Sequence, residues 1–232
     1  MDKYVLIVAG GKGLRMGGDL PKQFIPMRGK PLLMHTLEAF HRWDASARII
    51  LVLPEDHQPY WNMLCKEIGC KVPHAIVKGG DTRFFSVKNG LDWLLAERRR
   101  KGEEDSGLSL VAVHDGVRPF VSPAVVEACF DKAAVTGAVI PVVPMIDSLR
   151  ETDEKGSHPV DRSRYMAVQT PQVFLLELLT KAYEQPYSSL FTDDASVVEA
   201  MGHAIDTVPG DRENIKITTP FDLLIAEAMF AR

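Results

Sequence analysis

Short runs rich in Val, Ile and Leu recur along the chain at residues 4–8, 48–53, 75–77, 108–114 and 138–143, and each reads as a strand buried on both faces. Between them the apolar positions change rhythm. Val87, Leu91, Leu94 and Leu95, then Val126, Cys129, Phe130 and Ala133, follow the three-and-four spacing of helices that bury one face. Strands alternating with amphipathic helices predict an α/β architecture in which helices cover both faces of a mostly parallel sheet. Ser122-Pro123 and Thr219-Pro220 each set a hydroxyl cap before a proline suited to the first helical turn. Residues 151–164 break the pattern, being polar and rich in charge, Gly and Pro between the strand-like 147–150 and 165–170. They predict a protruding two-stranded arm, about 147–170, of the kind that serves as a dimer contact; a surface loop is the plainer alternative.

Composition narrows the classes. The chain has 232 residues, 46% apolar and 25% charged, a balance that supports one large packed domain over 1–232 and excludes disorder for the bulk. Lys and Arg number 27 against 31 Asp and Glu, and a net charge of -4 gives no global attraction for nucleic acid or an acidic membrane. The longest apolar stretches, 4–9 and 138–146, fall short of the roughly 18 residues of a spanning helix. No secretory signal precedes them, so a cytoplasmic protein is expected. Cys65, Cys70 and Cys129 cannot pair completely and are expected to be reduced. The step from Cys65 to Cys70, with His57 and His74 nearby, matches no common zinc spacing.

The first strand runs into Ala9-Gly10-Gly11-Lys12-Gly13-Leu14-Arg15-Met16-Gly17-Gly18 and then Pro21-Lys22-Gln23. Glycines at this density let backbone N–H groups crowd an anion. No Gly-Lys-Ser/Thr follows, and Met16 stands where a dinucleotide fingerprint needs its third glycine, so both of those chemistries are disfavoured. A loop on which Arg15 and Lys22 could bracket a polyphosphate remains, beside the plainer reading of a connecting turn. A second glycine loop, Lys78-Gly79-Gly80-Asp81-Thr82-Arg83, leaves another strand, and His114-Asp115-Gly116-Val117-Arg118-Pro119 leaves a third. In an open parallel sheet all three loops converge at the strands' carboxyl edge, where ligands bind. Asp115 could hold Mg²⁺ or a hydroxyl there, or simply pair with Arg118.

These blocks recur in order with Ser86-Val87, Asn89-Gly90-Leu91, Val160-Asp161-Arg162, Gln169-Thr170-Pro171-Gln172, Thr192-Asp193-Asp194-Ala195-Ser196 and Asn214-Ile215-Lys216-Ile217-Thr218. Together they resemble the 2-C-methyl-D-erythritol 4-phosphate cytidylyltransferases, CTP-using enzymes of the non-mevalonate isoprenoid pathway, over nearly the whole chain. The expected fold class is α/β, a Rossmann-like, mostly parallel sheet with helices on both faces and a protruding β-arm. The resemblance implies in-line attack of a substrate phosphate on the α-phosphorus of CTP, assisted by Mg²⁺ held mainly by the CTP phosphates, with no protein nucleophile. By position it makes Arg15 and Lys22 transition-state stabilisers and assigns Ala9, Gly10, Gly11, Gly13, Gly80, Asp81 and Ser86 to CTP. Arg162 and Lys216 would orient the substrate phosphate, while Asp115, Arg118, Asp147 and Ser148 would surround the polyol. It also implies a homodimer in which the arm crosses the axis, so that Arg162 and Ser148 serve the neighbouring subunit's site.

Two positions depart from many family members: Ser148 where Thr is common, and Gly116-Val117 where Ala-Ala is common. Both approach the related ribitol 5-phosphate cytidylyltransferases, which form the alternative reading. Val160-Asp161-Arg162-Ser163 and the Thr-Asp-Asp-Ala-Ser block favour the methylerythritol branch. A nucleotide-binding regulator without turnover is a more distant alternative, opposed by the joint presence of Arg15, Lys22, Arg162 and Lys216.

Overall fold

The computed structural model describes residues 1–10, 20–103 and 107–231. Strand β1 (Asp2–Val8) is central to its sheet. A short ladder of β2 (Pro26–Met27) and β3 (Lys30–Pro31) leads into helix α1 (Leu32–Trp43). Then come β4 (Arg48–Leu53), α2 (Gln58–Ile68) and β5 (His74–Lys78). β4 lies parallel to β1 and β5 parallel to β4, so the first half winds toward one edge. Helix α3 (Arg83–Lys101) carries the chain back, and β6 (Ser109–Asp115) pairs in parallel with the opposite side of β1. Winding reverses between β1 and β6, which opens a crevice at their carboxyl ends.

The second half contains α4 (Pro123–Thr136) and β7 (Ala138–Pro144), then a separate hairpin of β8 (Arg150–Asp153) and β9 (Gly156–Pro159). β10 (Met166–Val168) and β11 (Gln172–Leu175) return along β7, followed by α5 (Leu176–Ala182), α6 (Asp194–Glu199), β12 (Asp206–Pro209) and α7 (Pro220–Phe230). The order is β10-β7-β11-β6-β1-β4-β5, with β12 on β7. Among the described residues only β10 and β11 run against the other strands of this sheet.

The runs of apolar residues are continuous because both sheet faces are covered. Val5 and Ile7 of β1 point into a core with Leu33, Phe40, Leu51, Trp61 and Phe130, beneath α1, α2 and α4. Tyr4 and Leu6 alternate to the other side, where Val52, Val87, Leu91 and Leu179 pack beneath α3 and α5. The expected caps are present: Ser122 accepts from the Val125 N–H, and Thr219 forms a reciprocal capping box with Asp222. No helix among the described residues is long and apolar enough to cross a membrane.

The arm differs from expectation in where its strands lie. The flanks 147–149 are not extended into a ladder; instead the polar stretch itself pairs, Arg150 opposite Pro159 and Asp153 opposite Gly156. Polar cross-strand contacts, such as Glu151 with His158 at 3.1 Å, replace the apolar alternation by which strands are read. Every residue of β8 and β9 is exposed.

Candidate active site

Residues at and beyond the carboxyl ends of β1, β5 and β6 surround a cleft of about 230 Å³. Two backbone bonds tie the end of β1 to both neighbouring strands, the Ala9 N–H donating to Val52 of β4 and the Gly116 N–H, just past β6, donating to the carbonyl of Val8. The Ala9 carbonyl accepts from the Gln23 side-chain amide at 2.9 Å. Gln23 is fully buried in a short 3-10 turn, Lys22–Phe24, and so holds neighbouring Lys22 on the rim of the cleft. On the second loop the Gly80 N–H donates to the Ser86 hydroxyl at 3.1 Å, and Asp81 lies beside it on the wall.

Two glycines differ in what they allow. A Cβ on Gly116 would lie 2.8 Å from that of Ala9, so the departure from Ala-Ala here lets the β6 loop press against the end of β1. A Cβ on Gly10 would meet no atom closer than 3.9 Å, so packing within the described chain does not demand glycine there. The space it leaves open faces the cleft.

Opposite these loops stands a carboxylate ringed by cations. Asp115 meets the Lys216 ammonium at 3.0 Å, Arg118 at 3.2 Å and Arg83 at 3.9 Å. Burial alone would raise its pKa, but the charges of Lys216, Arg83 and Arg118 outweigh that and hold the carboxyl well below the usual range. Arg83 is itself clamped in two-pronged fashion by the fully buried Asp194, at 2.6 and 2.8 Å, and Asp194 also accepts from the Tyr183 hydroxyl at 2.6 Å. Despite desolvation, Asp194 keeps Arg83 charged, its pKa raised further. Such a pair is costly to bury and strongly destabilising to break.

Behind the ring, His114 is fully buried, and desolvation pushes its pKa down to about 4. Its Nδ1 lies 3.0 Å from the Thr170 hydroxyl and its Nε2 lies 3.1 Å from the Arg118 carbonyl oxygen. The Ile217 N–H donates to Val117, and Arg118 donates to the Asn214 carbonyl at 2.7 Å, so the loops bearing Asp115 and Lys216 are laced together.

Residues 4–232 match the 2-C-methyl-D-erythritol 4-phosphate cytidylyltransferase family. The chain belongs to that family. A 2-C-methyl-D-erythritol 4-phosphate cytidylyltransferase of Bacteroides fragilis is 55% identical over 229 residues, covering 99% of this chain and 100% of the relative. One from Porphyromonas gingivalis is 51% identical, with 98% and 97% covered. Among solved structures, the cytidylyltransferase of Thermus thermophilus aligns with a TM-score of 0.74 at 32% identity, covering 100% of each chain. The 4-diphosphocytidyl-2C-methyl-D-erythritol synthase of Anaerococcus prevotii aligns with a TM-score of 0.79 at 28% identity, covering 100% of this chain and 96% of its own.

Membership in the family agrees with the Rossmann-like α/β reading, and the fold gathers most of the expected site residues. Ala9, Gly10, Lys22, Gly80, Asp81 and Ser86 share the cleft with Asp115 and Lys216, and Arg118 joins through its ion pair. Gly11, Gly13 and Arg15 lie outside the described residues. Asp147, Ser148 and Arg162 are exposed near the hairpin and do not line the cleft; Arg162 donates to the Ile146 carbonyl of its own chain. Arg83 and Asp194 are legible in the sequence only as members of ordered motifs, since a separation of 111 positions hides their pairing. No group of three or more His, Cys, Asp or Glu among the described residues forms a metal cage. Asp115, already matched by cations, does not fit as a direct ligand for a dication.

Proposed function

We propose that the protein is a nucleotidyltransferase that joins CTP to 2-C-methyl-D-erythritol 4-phosphate, forming 4-CDP-2-C-methyl-D-erythritol and pyrophosphate. The observation that carries this reading is the convergence of Lys22, Arg83, Arg118 and Lys216 on one cleft, in a chain 55% identical to an enzyme named for that acceptor. An oxygen of the acceptor phosphate forms a bond to the α-phosphorus, and the bond to the bridging oxygen breaks, its electron pair leaving with pyrophosphate. The attacking phosphate is already anionic, so no residue must remove a proton. Catalysis reduces to holding two polyanions in line and offsetting charge on the α-phosphate oxygens.

On the nucleotide side, Ala9, Gly10, Gly80, Asp81 and Ser86, with Gly11 and Gly13, bind CTP, and the open space at Gly10 admits close backbone approach. Arg15 and Lys22 offset charge at the α-phosphate. On the acceptor side Lys216 binds the phosphate, while Asp115 and Arg118 hold polyol hydroxyls. Mg²⁺ would arrive on the nucleotide and neutralise its phosphates. Asp147 and Ser148 lie around the polyol, and Arg162 and Ser148 serve from the arm of a second copy in a cytoplasmic homodimer, a reading supported by their exposure beside a hairpin whose strands are exposed throughout.

The test is pyrophosphate release from CTP with methylerythritol 4-phosphate and, separately, ribitol 5-phosphate. Turnover with the first and little with the second is expected, in keeping with the names of the relatives. Preference for ribitol phosphate would move the protein to the other branch; no release with either would leave a nucleotide-binding regulator.

A further inference from the structure

Residues 169–171, Gln-Thr-Pro, interrupt the strand that returns along β7: Val168 faces Val142 and Val173 faces Val139, so five steps on one strand span three on the other. At this interruption, which contains the cis Thr170–Pro171 peptide, Thr170 is buried and turned toward β6. Its hydroxyl accepts from the Asp115 N–H at 3.2 Å. Its one proton is then available to His114 Nδ1 at 3.0 Å, which leaves the imidazole proton on Nε2 to donate to the Arg118 carbonyl at 3.1 Å. The Thr170 carbonyl accepts from the Asn214 side chain at 2.8 Å, and the Asn214 carbonyl receives Arg118. One residue therefore fixes the backbone at Asp115, the imidazole beneath Arg118, and the loop that brings Lys216 to Asp115.

We propose that Thr170 is a positioning residue for the acceptor half of the site, setting the Asp115–Arg118–Lys216 group through its hydroxyl and carbonyl. This rests on the functional reading above and assigns a role to a motif that reading leaves unused. None of these bonds reaches the nucleotide side, where Ala9 is held by Val52 and Gln23 and Gly80 by Ser86. The two substrates should therefore respond differently when the hydroxyl is lost, which a general loosening of the fold would not produce.

The experiment compares wild type, Thr170→Val and Thr170→Ser by steady-state kinetics with methylerythritol 4-phosphate and by calorimetry with CTP. In Thr170→Val the kcat/KM for the acceptor should fall about 10- to 100-fold through misplacement of the cations. The Kd for CTP should stay within about twofold, and Thr170→Ser, which keeps the hydroxyl, should recover most of the loss. The ¹⁵N shift of His114 Nδ1 should move in Thr170→Val and return in Thr170→Ser. If Thr170→Val does not fold, His114→Gln, which keeps a donor toward Arg118 and loses the acceptor toward Thr170, is read by the same split. Unchanged acceptor kinetics, equal loss of CTP binding, or no recovery with Ser overturns the assignment. A wild type inactive with methylerythritol phosphate overturns the functional reading, and with it this one.

Discussion

The cleft and the arm are both built from charged residues, yet they use charge in opposite ways. In the cleft Asp115 is buried among three cations, and Arg83 is clamped by a carboxylate with no exposure. In the arm, Glu151 and His158 also approach to 3.1 Å, but more than half of each side chain remains in solvent. Low dielectric makes the first arrangement strongly directional, while water and side-chain entropy remove most of the value of the second. The cation-ringed half of the cleft is accordingly set by contacts within the chain itself. A two-stranded hairpin with every residue exposed is marginal alone.

The largest effect that would break this contrast is on turnover. Lys22→Ala and Lys216→Ala should each lower kcat by roughly 10² to 10³, because each removes a cation from a site of growing negative charge. Pyrophosphate release near the wild-type rate in either would show that the cleft is not the reacting centre.

Stability against pH comes next. Burial lowers the His114 pKa from 6.5 to about 4, so between those values the unfolded chain binds a proton that the folded chain refuses. Stability is full above pH 6.5 and is lost as pH falls toward 4, by on the order of 3 kcal/mol. Asp115, with its lowered pKa, adds a separate loss only below the usual carboxylate range. Urea midpoints between pH 7.5 and 4.5 should show the His114 slope, and His114→Gln should flatten it; an equal slope in that variant would contradict the assignment.

Complementation sharpens the other side of the comparison. Mixing Arg162→Ala chains with Lys22→Ala chains should restore about a quarter of wild-type activity if the arm crosses, since about half the dimers are mixed and each has one intact site. No recovery in confirmed heterodimers would return Arg162 to its own chain. The smallest effect belongs to the arm's own contacts: Glu151→Gln should leave the melting temperature within about 2 °C of wild type in a thermal scan.

Burial is what the sequence displays most plainly, and the elements defined by burial were legible. The run 48–53 coincides with β4, and the three loops predicted at the carboxyl edge do share one cleft. The hairpin strands were misplaced because polar pairs, not apolar alternation, register them. The clamp of Arg83 by Asp194 and the bonds of Thr170 were invisible for another reason. A buried polar group takes its partner from wherever the fold brings one, so spacing along the chain carries no trace of it.

The pairing of β1 with β6 also has a consequence for biosynthesis. Val8 lies opposite Asp115, 107 residues later, so this contact closes a long loop and is slow to form. At about 5–20 residues per second, Asp115 leaves the ribosome roughly 5–20 s after Val8. During that interval β4 and β5 can already dock, while the far edge of β1 has no neighbour and its unpaired backbone is open to other chains. The loops at Gly10 and Gly80 can therefore come together on the nascent chain before the β6 side of the cleft exists, and a nascent chain in that state is the one most exposed to aggregation.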